Sequence, residues 1–89
     1  MKLKDEFVIE EMGDEVVLIP VDSAAERFHG IARMNQTAAF LVRALKEETD
    51  EEGLLSAMRE EYDGTDEAFR KSIQITLDGL RRIGALEES

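Results

Sequence analysis

No cysteine and no tryptophan occur in this 89-residue chain, and proline and histidine appear once each, as Pro20 and His29. Without thiols there are no disulfides, no thiolate nucleophile and no Cys-ligated metal, and a lone imidazole cannot build a His-based metal site. Aromatic residues make up only 6%. No apolar run approaches the roughly 18–20 residues of a membrane span, and no signal-peptide core follows Met1. Positive charge is scarce as well: 11 Lys and Arg face 21 Asp and Glu, a formal net charge of −10. So acidic a surface is repelled by phosphate backbones, which argues against nucleic acid as a partner, as the missing apolar span argues against a membrane. These absences leave the expectation of one small cytoplasmic domain spanning residues 1–89, with a thin core and no room to enclose an active site of its own.

What the chain does contain is 43% hydrophobic residues, enough for a packed core, and they change period partway along. Up to about Met34 the pattern is strand-like. Phe7-Val8-Ile9 and Val16-Val17-Leu18-Ile19 are β-branched and aromatic runs on either side of Met12-Gly13-Asp14, whose Gly-Asp pair suits a hairpin turn. Pro20 cannot donate to a ladder and belongs at a strand end or edge. After a polar connection, Asp22 to Glu26, a third strand is expected from Arg27 to Met34. There Phe28, Gly30, Ala32 and Met34 form an apolar face, and Arg27, His29, Ile31 and Arg33 a mixed one.

From Asn35 the period is helical. Asn35 is a good N-cap for a helix carrying Ala38, Ala39, Leu41, Val42 and Leu45, expected over 36–47. Thr49 and Glu52 have capping-box spacing for a second helix over 50–62, with Leu54, Leu55, Met58 and Tyr62 on one stripe. Thr65 can cap a third over 66–83, whose stripe is Phe69, Ile73, Leu77, Leu80 and Ile83. Gly84 suits the residue after its end. Ala85-Leu86 should tuck back, leaving 87–89 to fray. The fold class is therefore α+β: a three-stranded antiparallel sheet followed by a three-helix bundle, in a winged-helix-like layout. The expected core includes Phe28, Leu41, Leu45, Leu55, Met58, Phe69, Ile73, Leu77 and Leu80.

Catalytic chemistry finds little to work with. The carboxylate pairs Glu10-Glu11, Glu47-Glu48, Glu51-Glu52, Glu60-Glu61 and Glu87-Glu88 lie on polar faces, where such runs are solvated surface. His29 has no visible partner, the glycines never cluster into a phosphate loop, and no triad spacing occurs. No catalytic residue, metal site or cofactor site is assigned, and an enzyme is not expected. One feature stands apart. Ile75 lies off the third helix's main stripe, beside Ser72, Gly79 and Arg82. Gly79 in mid-helix costs about 1 kcal/mol relative to Ala, so it needs a reason: close approach of another backbone, or tight packing against its own sheet.

Three segments in order resemble the PqqD family. Met34-Asn35-Gln36-Thr37-Ala38-Ala39-Phe40-Leu41-Val42-Arg43-Ala44-Leu45 is similar to its L-N-x-T-A-x-x-(I/L)-(W/L)-x-x-L helix, and Thr49 to Leu55 to its T-x-x-E-(I/L) helix start. Ile73-Gln74-Ile75-Thr76-Leu77-Asp78-Gly79-Leu80, with Arg82-Ile83-Gly84-Ala85-Leu86, resembles its V-x-x-F-L-x-x-L-x-x-x-G-L-(L/I) ending. With the strands upstream, the resemblance covers essentially the whole chain. Two departures stand out: Lys46-Glu47-Glu48 where the family usually has a glycine after the first helix, and Ser72 where it often has an acid. They point as much to another peptide-modification pathway as to that of pyrroloquinoline quinone.

The resemblance implies a non-catalytic peptide chaperone. Such a recognition element holds the leader of a ribosomally made precursor peptide and presents the core to a modifying enzyme, commonly a radical S-adenosylmethionine (SAM) protein. It implies that the leader adds as a strand beside the third strand, against the third helix. Carried over by position, the groove would use Arg27, His29, Ile31 and Arg33 from the strand, and Ser72, Ile75, Gly79 and Arg82 from the helix. Arg27, Arg33 and Arg82 are then expected to favour acidic residues in the leader. The alternative is a winged-helix DNA-binding domain, against which the charge argues: the third helix offers only Arg70, Lys71, Arg81 and Arg82, split between its ends.

Overall fold

The computed structural model describes residues 1–27 and 30–88. The chain runs β1 (Lys2–Leu3), β2 (Phe7–Met12), β3 (Glu15–Pro20), α1 (Ser23–Arg27), β4 (Ala32–Met34), α2 (Gln36–Ala44), α3 (Glu51–Glu61), α4 (Asp66–Arg82) and β5 (Leu86–Glu87). The three-stranded antiparallel sheet expected from the alternating runs has the order β2-β3-β4, with Val8 opposite Ile19 and Val17 opposite Arg33. Its hairpin turns at Gly13-Asp14, where Gly13 takes φ +65°. Only glycine enters that left-handed region freely, and the mirror-image hairpin turns require it. Pro20 is the last residue of β3, where its missing N–H does least harm to the ladder.

Four local expectations are corrected. The third strand does not begin at Arg27: residues 23–27 form the single turn α1, and β4 covers only Ala32–Met34. Ala24, Ala25, Glu26 and Arg27 are good helix formers, Ala24 is buried, and Gly30 at φ +118° breaks any extended run before Ala32. The second helix is capped by Asp50 rather than Thr49, its carboxylate accepting from Gly53 N–H at 2.8 Å. Aspartate caps at least as well as threonine and adds charge at the positive helix end. A Cβ on Gly53 would meet the Thr49 hydroxyl, which would have to turn away to admit it. α2, expected to run to 47, stops at Ala44, and the Leu45 carbonyl beyond it accepts from Leu3 N–H at 2.7 Å. Residues 87 and 88 are held: Glu87 pairs with Lys2 across β5 and β1, and Glu88 with Arg81 at 2.8 Å. The expected core residue Phe28 lies outside the described residues.

The remaining caps follow from the sequence. Asn35 Oδ1 accepts from Ala38 N–H at 2.8 Å and Thr65 Oγ1 from Ala68 N–H at 3.1 Å. At the end of α4, Gly84 takes φ +71°, Gly84 N–H donates to Arg81 O at 3.1 Å and Ala85 N–H to Leu80 O at 2.9 Å. This Schellman pair turns the chain back toward the core, where Ala85 and Leu86 are buried.

The core is built around α4. Its stripe of Phe69, Ile73, Leu77 and Leu80 packs with Leu41, Val42 and Leu45 of the first-helix segment, Leu54, Leu55 and Met58 of α3, and Leu18 of β3. No described helix is long and apolar enough to cross a membrane. The start of α4 is also tied electrostatically. Arg59 near the end of α3 forks onto Asp66, its Nε 2.9 Å from Oδ1. The Arg59 hydrogen bond is the main cause that holds the Asp66 carboxyl below its ordinary value.

Two outcomes are expected. Leu77, fully enclosed, should lose about 2–5 kcal/mol of stability on change to Ala in denaturant titration; a loss under about half a kcal/mol would contradict its place at the centre of the core. Because Asp66 has a lowered folded-state pKa, its contribution is complete above the ordinary carboxylate range and fades as pH falls through the lowered value. Wild type should therefore melt above Asp66→Asn at neutral pH, with the two curves converging once Asp66 is protonated in acid.

Candidate functional site

β4 is an edge strand: among the described residues only β3 pairs with it. Beside it lies a cavity of about 320 Å³, open to solvent. Ala32, Arg33 and Met34 of β4 form one wall, and Ser72, Ile75, Thr76, Gly79 and Leu80 of α4, with Ile83 just past its end, form the other. Leu18 of β3 and Ala38 and Val42 of α2 make the floor, and Asn35 and Thr37 close the end at the start of α2. Local sequence sets this geometry. Gly30 and the Asn35 cap confine the strand to three residues, so the chain enters α2 immediately and places its first turn at the groove's end. α4 then lies over α2 by its apolar stripe, leaving its Ser72–Gly79 side as a wall.

The groove is apolar with a thin polar margin. No aspartate or glutamate lines it, although the chain carries 21 of them. Its charged lining residue, Arg33, is 74% exposed in its side chain and lies 3.7 Å from Glu15. Gly79 has nothing within 4 Å of where a Cβ would stand. Packing against its own sheet therefore does not explain this glycine; a helix wall kept low beside an open groove does. Ile75 is 64% exposed on the same wall, a large apolar side chain with no partner of its own.

Of the eight residues singled out from sequence, Arg33, Ser72, Ile75 and Gly79 line the cavity. Arg82 lies on the exposed side of α4 next to it and Ile31, 44% exposed, just before β4. Arg27 is elsewhere: on α1 its guanidinium lies 3.4 Å from Glu6 and 3.4 Å from the Ser23 carbonyl. The Ser23 hydroxyl and this arginine hold the Glu6 carboxyl below its ordinary value, the hydroxyl contributing most. The positive strip expected of Arg27, Arg33 and Arg82 therefore loses its first member and finds its second turned toward Glu15. His29 lies outside the described residues. From β4 the cavity takes Ala32 and Met34, which alternation had already placed on the strand's apolar face, rather than the mixed face as a whole. The floor residues Leu18, Ala38 and Val42 carried no separate signal, because each also reads as ordinary core.

Chemically the arrangement is one for binding. It offers a row of backbone donors and acceptors on a free strand edge, an apolar trough and a few hydroxyls. Among the described residues no three His, Cys, Asp or Glu side chains gather as a metal-binding group.

Comparison with known proteins adds to this geometry. The structure of TbiB1 in complex with the TbiA(beta) leader peptide superposes with a TM-score of 0.78 at 21% identity, covering 100% of this chain and 98% of that one. That likeness establishes the fold. No curated protein sequence matches the chain. The family model for coenzyme PQQ synthesis protein D matches residues 15–86, from the central strand through the C-terminal one. The match takes in every segment that forms the groove, and the chain belongs to the PqqD family.

Proposed function

We propose that this protein is a non-catalytic peptide chaperone: it takes the leader of a ribosomally synthesised precursor peptide as an added strand on β4 and holds it for a modifying enzyme. The observation that carries this reading is the free edge of β4 running along an apolar, acid-free groove under α4. Strand addition draws affinity from main-chain hydrogen bonds and register from side-chain pockets, and both elements are present here. Membership of the PqqD family and a fold shared with a protein solved in complex with a leader peptide support it. We assign a radical SAM enzyme as the modifying partner and the cytoplasm, where precursor peptides are made, as the place of action.

The DNA-binding alternative weakens at the level of individual cations. Of the four on α4, Arg70 lies 3.2 Å from Glu52, and Arg81 2.8 Å from Glu88 and 3.5 Å from Asp78. A duplex would have to displace those carboxylates and then meet a net charge of −10.

Gly79→Leu should fill the groove from its open wall while improving helix propensity. A leader peptide that the protein binds should shift the resonances of residues 32–34 and 72–83. The variant should bind at least about tenfold more weakly, as expected when a central contact is blocked. Shifts confined to α3, or unchanged affinity in a folded variant, would remove the groove assignment.

A further inference from the structure

The wall of the groove belongs to one helix, and that helix has an outer lip. On a wheel of 100° per residue, Lys71 and Arg82 fall within about 40° of Ile75, on the side away from the buried stripe. Both are exposed, and among the described residues neither makes an ion pair. Arg82 stands apart from the other arginines: Arg27, Arg33, Arg43, Arg59, Arg70 and Arg81 each lie within ion-pair distance of a carboxylate, as expected with nearly two acids for every base. Lys71 shares its unpaired state with Lys2, Lys4 and Lys46, but it is the lysine of α4 and stands on the lip of the groove. Asp78, the acid between Lys71 and Arg82 on this lip, is drawn aside to Arg81 at 3.5 Å. The lip therefore presents two free cations with an exposed isoleucine and the open Gly79 position between them, over a trough with no carboxylate of its own.

Spacing matters as much as charge. Lys71 and Arg82 are three helical turns apart, about 16 Å along the axis. In a strand, residues on one face repeat every second position, and positions i and i+4 are about 13 Å apart. The long side chains of Lys, Arg and Glu close the remaining few ångströms. A residue at i+2 would then face the middle of the lip, at Ile75 and Gly79.

Resting on the reading of the groove as a strand-accepting site, we propose that the peptide it selects carries an acidic–x–apolar–x–acidic pattern, with the apolar side chain over Ile75 and Gly79 and the two carboxylates paired with Lys71 and Arg82. The lip cations choose the register of the strand and the sign of its flanking charges, while the trough supplies the apolar contact.

The test uses three short synthetic peptides of one extended sequence, differing only at the two flanking positions, which are Glu, Gln or Lys around a central Leu. Each is titrated into isotope-labelled full-length protein at low ionic strength. The Glu peptide should bind about fivefold or more tighter than the Gln peptide, the range open to two partly screened ion pairs, with the Lys peptide weakest. The advantage should shrink toward 1 M salt, where the screening length is about 3 Å. In the double variant Lys71→Glu/Arg82→Glu, checked for folding by circular dichroism, the order should invert, and in Lys71→Gln/Arg82→Gln it should flatten. If the Gln peptide shifts β4 and α4 but the Glu peptide binds no tighter, or if the preference survives charge reversal, the charge pattern is wrong and strand addition stands. If none of the three perturbs β4 or α4, both are wrong.

Discussion

The apolar stripe of α4 is the constraint from which the rest follows. Phe69, Ile73, Leu77 and Leu80 bind this one helix to α2, α3 and the sheet, and with that face fixed the helix has no rotational freedom left. Its Ser72–Gly79 side must then overhang β4, and Lys71, Ile75 and Arg82 must look outward. A groove made this way needs no dedicated scaffold, since it is the unburied side of a core helix set beside a strand with one neighbour too few. The Arg59–Asp66 fork and the Schellman turn at Gly84 pin the two ends of the same helix. The wall is therefore held at both ends as well as along its length.

Much of this was legible because the signals were local. The N-caps Asn35 and Thr65, the Gly13-Asp14 turn, the glycine stop at Gly84 and the 3.6-residue stripe each depend on neighbours within one turn, and all appear as read. Failures fell where two local signals competed or where the partner was distant. Alternation over 27–34 suggested a strand, but burial of Ala24 draws Arg27 into the turn of α1 and Gly30 at φ +118° leaves only Ala32–Met34 as β4. Arg27 went with that segment, toward Glu6 rather than the groove. The β1–β5 pair carried no periodicity at all, two residues per strand being too few to show any. In the groove, the helix side was readable because Gly79 and Ile75 broke a rule of good helix patterning. The floor obeyed every rule of core packing and so stayed hidden.

Charge has a second part in this fold. A free strand edge bordered by apolar surface is open to any extended chain, including another copy of this protein. Two features work against that. β4 is only three residues long, which limits the main-chain bonds an intruder gains. The net charge of −10 makes approach of a second copy unfavourable at moderate ionic strength. The carboxylates stay out of the groove and cover the remainder of the surface, so repulsion guards the molecule without closing the site.

The small sheet of β1 and β5 imposes an order on folding. Lys2 and Leu3 pair with Glu87 and Leu86, so β1 has no partner until β5, on the far side of α4 in the sequence, has been made. Pairings of such long sequence separation carry the largest loop-closure entropy and form late. The β2–β3 hairpin and α2–α4 can assemble from near neighbours while β1 is still unpaired. Met1, whose amino group meets Glu48 and the Thr49 carbonyl, then arrives with it against the α2–α3 connection. The groove borders none of these terminal segments, so it can take shape before the chain ends are fastened.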